Sequence, residues 1–144
     1  MKKYKVGYTC GVFDLFHVGH LNLLERCKEQ CEYLIVGMCD DDYVRNIKKK
    51  VPVIKEDDRL RILNALKCVD LAEKVDIETT NDKMIALERF HFDVLFSGDD
   101  WQGSERYKKT EEQFAKFGVA IEYLPYTQGV STTDIKSAIE KDKK

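Results

Sequence analysis

Proline is almost missing from this chain. Pro52 and Pro125 are the only two in 144 residues, beside one tryptophan and three histidines. That scarcity excludes collagen-like, polyproline and proline-rich linker sequence. No apolar run approaches the ~20 residues of a membrane-spanning helix. The basic start, Met1-Lys2-Lys3-Tyr4-Lys5, has no long apolar stretch behind it, so no signal peptide is expected. Net charge is only −2, with Lys48-Lys49-Lys50 the one strongly basic run, so no global field draws the chain to nucleic acid or to lipid. The five cysteines form no Cys-x-x-Cys and cannot all pair within the chain. They read as reduced thiols acting as small core residues, in a cytoplasmic protein. A 43% hydrophobic share with 35% charge fits one ordinary globular domain spanning residues 1–144.

Strand and helix patterns alternate along the whole length. Val6–Cys10 reads as a strand ending in a glycine turn. Leu21, Leu24, Cys27 and Cys31 recur at helical spacing, in a helix starting near His17–Gly19. The continuous apolar run Tyr33–Met38 suits a strand buried on both faces, and Cys39–Asp42 breaks it. Lys48–Pro52 reads as an exposed loop. Glu56-Asp57-Asp58 then opens a helix with an apolar face of Ile62, Leu63, Leu66 and Val69. A short strand is expected over Ala72–Ile77, a helix over Asp82–Phe90 and a buried strand over Val94–Ser97. Ser104–Phe117 reads as a helix stopped by Gly118, Val119–Leu124 as a strand, and Ser131-Thr132-Thr133-Asp134 as the lead into a last helix through Ile135, Ala138 and Ile139. The pattern predicts an α/β fold: a single Rossmann-like doubly wound domain with a mostly parallel sheet, its ligands bound beyond the carboxyl ends of the strands.

The segment with the most chemistry is Gly11-Val12-Phe13-Asp14-Leu15-Phe16-His17-Val18-Gly19-His20. A strand, a glycine turn with two histidines and a helix start put imidazoles and backbone N–H groups at a positive dipole end, where phosphates bind. Zinc ligation by His17 and His20 is a possible use of their spacing, but the glycine-bearing approach suits anions better, and no protein metal site is expected. Asp14 either belongs to the binding segment or stabilises the turn. Phe13 and Leu15 read as core.

This segment resembles the His-x-Gly-His signature of the nucleotidyltransferase superfamily, and its Gly-Val-Phe-Asp-Leu-Phe-His lead resembles cytidylyltransferases in particular. Gly98-Asp99-Asp100-Trp101-Gln102-Gly103 and Gly129-Val130-Ser131-Thr132-Thr133 resemble the later signatures of bacterial glycerol-3-phosphate cytidylyltransferases, in the same order. The resemblance implies that His17 and His20 are catalytic, with one lysine of the basic run, Lys49 being favoured. It implies nucleotide contacts from Gly11, Val12, Phe13, Asp14, Gly19, Asp99, Thr127, Ser131 and Thr132, and acceptor contacts from Arg59, Asp100, Trp101 and Tyr126. Several of these have structural alternatives. Arg59 has the spacing of an ion pair with Glu56. Asp99 and Asp100 could hold Mg²⁺ or shape a turn, and Ser131–Thr133 are good helix caps. His91, between Phe90 and Phe92, reads as structural.

By the same resemblance the expected reaction is in-line transfer of CMP from CTP, with Mg²⁺, to a phosphorylated alcohol. Glycerol 3-phosphate leads, giving CDP-glycerol and pyrophosphate, in an enzyme that is a homodimer and does not insert in membranes. Alternatives are another acceptor (phosphocholine, phosphoethanolamine or a sugar phosphate), ATP as donor, or a non-catalytic nucleotide-binding module. Two residues depart from the glycerol-3-phosphate pattern. Val12 stands where that family has threonine, and Tyr126 where its late signature opens with arginine. Tyrosine has neither permanent charge nor a bidentate fork. Another cation then substitutes, or the acceptor differs, or Tyr126 stacks on the cytosine ring.

Overall fold

Five strands share one sheet in a computed structural model that describes residues 2–126 and 131–142. They are β1 (Tyr4–Gly11), β2 (Cys31–Cys39), β3 (Leu71–Val75), β4 (Val94–Gly98) and β5 (Ala120–Leu124). Their order is β3-β2-β1-β4-β5 and every pairing is parallel. The chain therefore winds outward from β1 in one direction, then crosses back to β4 and winds the other way. The change of direction lies between β1 and β4, where such sheets open a crevice at their carboxyl ends.

Alternation along the strands builds two cores. Leu34, Val36, Met38, Val94 and Phe96 face one layer, with Leu24 and Cys27 of α1 (Val18–Gln30) and Leu63 of α3 (Glu56–Asn64). Tyr8, Ile35 and Leu95 face the other. There they meet Ala86 and Phe90 of α5 (Lys83–Phe90) and Tyr107 and Phe114 of α6 (Glu105–Ala115). Burial of both faces explains why β2 is apolar without interruption. Gly37 permits a close approach here: a Cβ at that position would lie 2.2 Å from the Tyr8 hydroxyl.

Some boundaries differ from the sequence reading. Cys31 begins β2 rather than ending α1; it and Cys27 both face the first core, so the helical spacing ran past the helix end by coincidence. The acidic break after β2 is a short helix, α2 (Asp41–Asn46), because the Asp40 side chain caps it by accepting from Tyr43 N. Asp76 does the same for α4 (Ile77–Asn81) through Thr79 N, so Ile77 is helical and the third strand ends at Val75. α3 stops at Asn64, leaving Leu66 and Val69 in the turns after it, and Ile62 faces outward. A 3-10 turn, Asp99–Trp101, follows β4, and α7 (Thr132–Asp142) closes the described chain.

Candidate active site

A cavity of about 370 Å³ opens where β1 and β4 part. Its wall takes Gly11, Val12, Phe13, Asp14 and His20 from the end of β1 and the start of α1. Gly98 and Trp101 join from the end of β4 and the turn after it, Tyr126 from just past β5, and Thr132 and Thr133 from the start of α7. Lys48, Lys50, Lys83, Arg106 and Lys136 also line it, against Asp14 as the lone carboxylate of the lining. None of these five cations has an acidic partner among the described residues. The cavity is therefore built for anions.

His17 and His20 close the start of α1 on each other. His17 is the N-cap, its Nδ1 accepting from Gly19 N at 3.0 Å, while His20 Nδ1 accepts from His17 N at 3.2 Å. This is a capping box made of imidazoles in place of a hydroxyl and a carboxylate. The rings stack at 3.9 Å between centroids, and Phe13 and Phe16 pack on His20. An amide N–H only donates, so both Nδ1 atoms are unprotonated and each neutral ring carries its hydrogen on Nε2. Burial lowers both pKa values, and the neighbouring His17 helps push His20 down to about 4. The structure holds two neutral donors of fixed tautomer, because charging either ring would break the cap.

The turn between β1 and α1 is held tightly. Phe13 and Leu15 have left-handed backbones (φ 56° and 50°), which cost about 1–3 kcal/mol each unless the surroundings impose them. Asp14, buried between them, imposes them. Its Oδ1 accepts from Leu15 N and Ile54 N, and its Oδ2 from Val53 N. The turn-stabilising alternative thus describes what its carboxylate does.

Arg59 is corrected more sharply. It is 1% exposed, pairs with Asp41 rather than Glu56, and does not line the cavity. Its Nε donates to Ile54 O and its Nη1 to Val12 O and Cys39 O. It ties the ends of β1 and β2 to the loop before α3, so its guanidinium faces main chain and not substrate.

Lys48 and Lys50 line the cavity where Lys49 had been favoured. Lys49 occupies a left-handed turn (φ 57°) pinned by Lys48 N to Tyr43 O and Lys50 N to Val44 O, which turns its neighbours inward. On the opposite wall the contacts are sparser. Asp99 and Asp100 lie exposed in the 3-10 turn, outside the cavity lining. A Cβ on Gly98 would come within 2.2 Å of the Tyr126 hydroxyl and 2.7 Å of Asp100 Oδ1, so the missing side chain lets both reach the strand end. Burial of the Tyr126 phenol and the adjacent Asp100 push its pKa up to about 12. Ser131 Oγ accepts from Asp134 N and caps α7, and Thr132 Oγ1 donates to Asp14 O at 2.8 Å, joining the last helix to the histidine turn. Thr127 and Gly129–Val130 lie outside the described residues.

The Cytidylyltransferase-like family model matches residues 8–138. The chain is 36% identical over 129 residues to the glycerol-3-phosphate cytidylyltransferase of Bacillus spizizenii, covering 89% of this chain and 92% of that one. Identity to the Staphylococcus aureus protein of the same name is 35% over 131 residues, covering 91% and 92%. This chain belongs to the cytidylyltransferase-like family. It is accordingly an enzyme of the nucleotidyltransferase class. The bifunctional protein HldE of Helicobacter hepaticus is 32% identical over 99% of this chain, which spans only 28% of that relative. Among solved structures, a lipopolysaccharide core biosynthesis protein from Thermoplasma volcanium superposes with a TM-score of 0.68 at 24% identity, covering 86% of this chain and 97% of that one. That likeness shows the Rossmann-like fold.

Parts of this cytidylyltransferase-like cavity escaped the sequence reading. Tyr43, Thr80, Lys83, Arg106 and Tyr107 line it from α2, α4, α5 and α6. Cys10 and Cys39 also reach it, with their sulfurs 3.8 Å apart. A lysine and an arginine at helix starts carry no local signal; only the crossovers bring them to this edge. Among the described residues, no three His, Cys, Asp or Glu side chains come together as a metal site, and no helix is long and apolar enough to cross a membrane.

Proposed function

We propose that this enzyme transfers CMP from CTP to a phosphorylated alcohol, glycerol 3-phosphate first among them, giving CDP-glycerol and pyrophosphate. An oxygen of the acceptor's phosphate attacks the α-phosphorus of CTP. The new P–O bond forms as the bond to the β-phosphate oxygen breaks, and pyrophosphate leaves with that electron pair. The nucleophile is already an anion, so no general base is needed. The barrier is charge and alignment, met by positioning and electrostatic stabilisation.

The observation that carries the reading is the imidazole capping box. Both Nδ1 atoms are held by backbone amides, which leaves each neutral ring its Nε2–H to donate, on His20 in the cavity lining and on His17 stacked against it. Donors fixed before reaction cost no reorganisation as charge moves onto the leaving group. Lys48 and Lys50 add permanent charge from the loop after α2. Thr132, hydrogen-bonded to Asp14 O, sets the start of α7 against the same turn, a further place for phosphate oxygens.

Magnesium belongs to this proposal as the counter-ion that CTP brings. The chain does not fit a resident ion: the oxygens of Asp14, the carboxylate in the wall, are already occupied by amides. Action in the cytoplasm and as a homodimer are parts of the same proposal. A different acceptor is the second reading, favoured by Tyr126 at the place of an arginine. Pyrophosphate release, measured with CTP or ATP against glycerol 3-phosphate, phosphocholine, phosphoethanolamine and sugar phosphates, tests both. Release with CTP and glycerol 3-phosphate is expected. Preference for ATP would overturn the donor, and tight CTP binding without release would overturn catalysis.

A further inference from the structure

Arg106 enters the cavity from the side opposite the histidines. His17 and His20 belong to α1, which packs on one face of the sheet with α3, whereas α6 packs on the other with α5. Arg106 Nη2 donates to Asn81 O at 2.8 Å and to Asn81 Oδ1 at 3.2 Å. Its guanidinium carbon lies 5.9 Å from the Trp101 ring centroid, and Trp101 stacks on Tyr107 at 5.5 Å. The head group is thus aimed by a neutral backbone and side-chain amide and steadied by an aromatic pair. No carboxylate neutralises it, and its Nε and Nη1 hydrogens have no protein partner among the described residues. An arginine so oriented at a cavity wall, its charge unspent, suits an anion with several oxygens.

The reaction geometry says which anion. In a direct displacement the entering and leaving oxygens lie on opposite sides of the reacting phosphorus. With the triphosphate tail against the histidines and the Lys48–Lys50 loop, the entering phosphate approaches from across the sheet edge. Lys83 of α5 and Arg106 of α6 line the cavity from that side; Lys83 Nζ donates to Thr80 O, and Arg106 is the one of the two with a planar fork to offer an oxyanion. We propose that Arg106 anchors the acceptor's phosphate and makes this enzyme select acceptors bearing a phosphate monoester. This rests on the cytidylyl-transfer reading above. It also supplies a cation for the acceptor that does not come from the Tyr126 position.

Calorimetric titration of the full chain with CTP and, separately, with glycerol 3-phosphate tests the assignment without requiring turnover. Arg106→Ala is expected to weaken glycerol 3-phosphate binding at least tenfold and leave CTP binding within twofold, with Arg106→Lys recovering part of the loss. In steady state the same split appears as a raised KM for the acceptor and an unchanged KM for CTP. Equal loss of both ligands, or unchanged acceptor binding, overturns the assignment, as does a wild-type chain that binds no phosphoalcohol. A wild-type chain that binds both ligands and shows the split, yet releases no pyrophosphate, overturns the reaction while leaving Arg106 as the phosphate anchor.

Discussion

The two walls of the cavity are built differently. On the β1–α1 wall nearly every polar atom is engaged. Asp14 takes three amides, Arg59 behind the lining donates to three carbonyls and Asp41, and His17 and His20 accept from the amides of Gly19 and His17. On the β4–β5 wall, Asp99, Asp100, Trp101 and Tyr126 are exposed, and the Tyr126 hydroxyl occupies the space that a side chain on Gly98 would take. Fixed donors of the kind that the proposed transfer needs sit on the rigid wall. The β4–β5 wall has fewer constraints, so an exchange such as arginine for tyrosine leaves the core intact. The contrast teaches that one cavity can hold a tightly bonded wall and a loosely bonded one, and under the proposed reading the first serves the transfer and the second the acceptor.

The largest effect should come from breaking the rigid wall at its clamp. Arg59→Met leaves Asp41 and three carbonyls without their partner and should cost ~3–5 kcal/mol of stability, read as a lower denaturant midpoint. A stable variant that loses only phosphate affinity would return Arg59 to the substrate side. Next, His17→Asn and His20→Asn keep an acceptor in place of Nδ1 while removing the Nε2 donor. Each should lower kcat by ~10²-fold or more with little change in melting temperature. A change of only a few-fold in both would take the histidines out of the mechanism.

On the looser wall the effects shrink. Tyr126→Arg adds a charge-assisted donor and should raise kcat/KM for glycerol 3-phosphate by ~10-fold at unchanged stability. No gain would argue that the acceptor is another phosphoalcohol. The smallest effect is the pH dependence of folding. The His20 pKa is about 4 in the native chain against an ordinary 6.5. Above 6.5 the ring is neutral in both states and pH has no leverage through it. As pH falls from 6.5 to about 4, the unfolded chain gains a proton that the native state refuses, so stability declines. His20→Asn should flatten that part of the melting-temperature profile; an unaltered slope would place the depressed site elsewhere.

Much of this was legible from local pattern. The alternation of strands and helices, the all-buried β2 and the histidine-bearing turn depend on neighbouring residues and on periods of two and 3.6. α2 and α4 were missed although their caps, Asp40 and Asp76, stand in plain view, because six and five residues are too few to show a helical period. The role of Arg59 was not legible at all. Its partners, Val12, Cys39 and Asp41, lie 18 to 47 positions away, and a local rule offered only Glu56. Lys49 was chosen over its neighbours for want of a backbone angle, which φ 57° supplies.

By itself the sequence determined the kind of fold and the presence of a histidine-bearing turn between a strand and a helix, because both follow from side-chain order along a few consecutive residues. Tertiary structure decided which charges serve that turn. It buried Arg59, neutralised the two imidazoles by making them caps, and turned Lys48 and Lys50 inward. It also brought Lys83 and Arg106 to the cavity through crossovers that no local signal records. The physical reason is that charge state and orientation depend on what surrounds a group in space, and here those surroundings come from distant stretches of the chain.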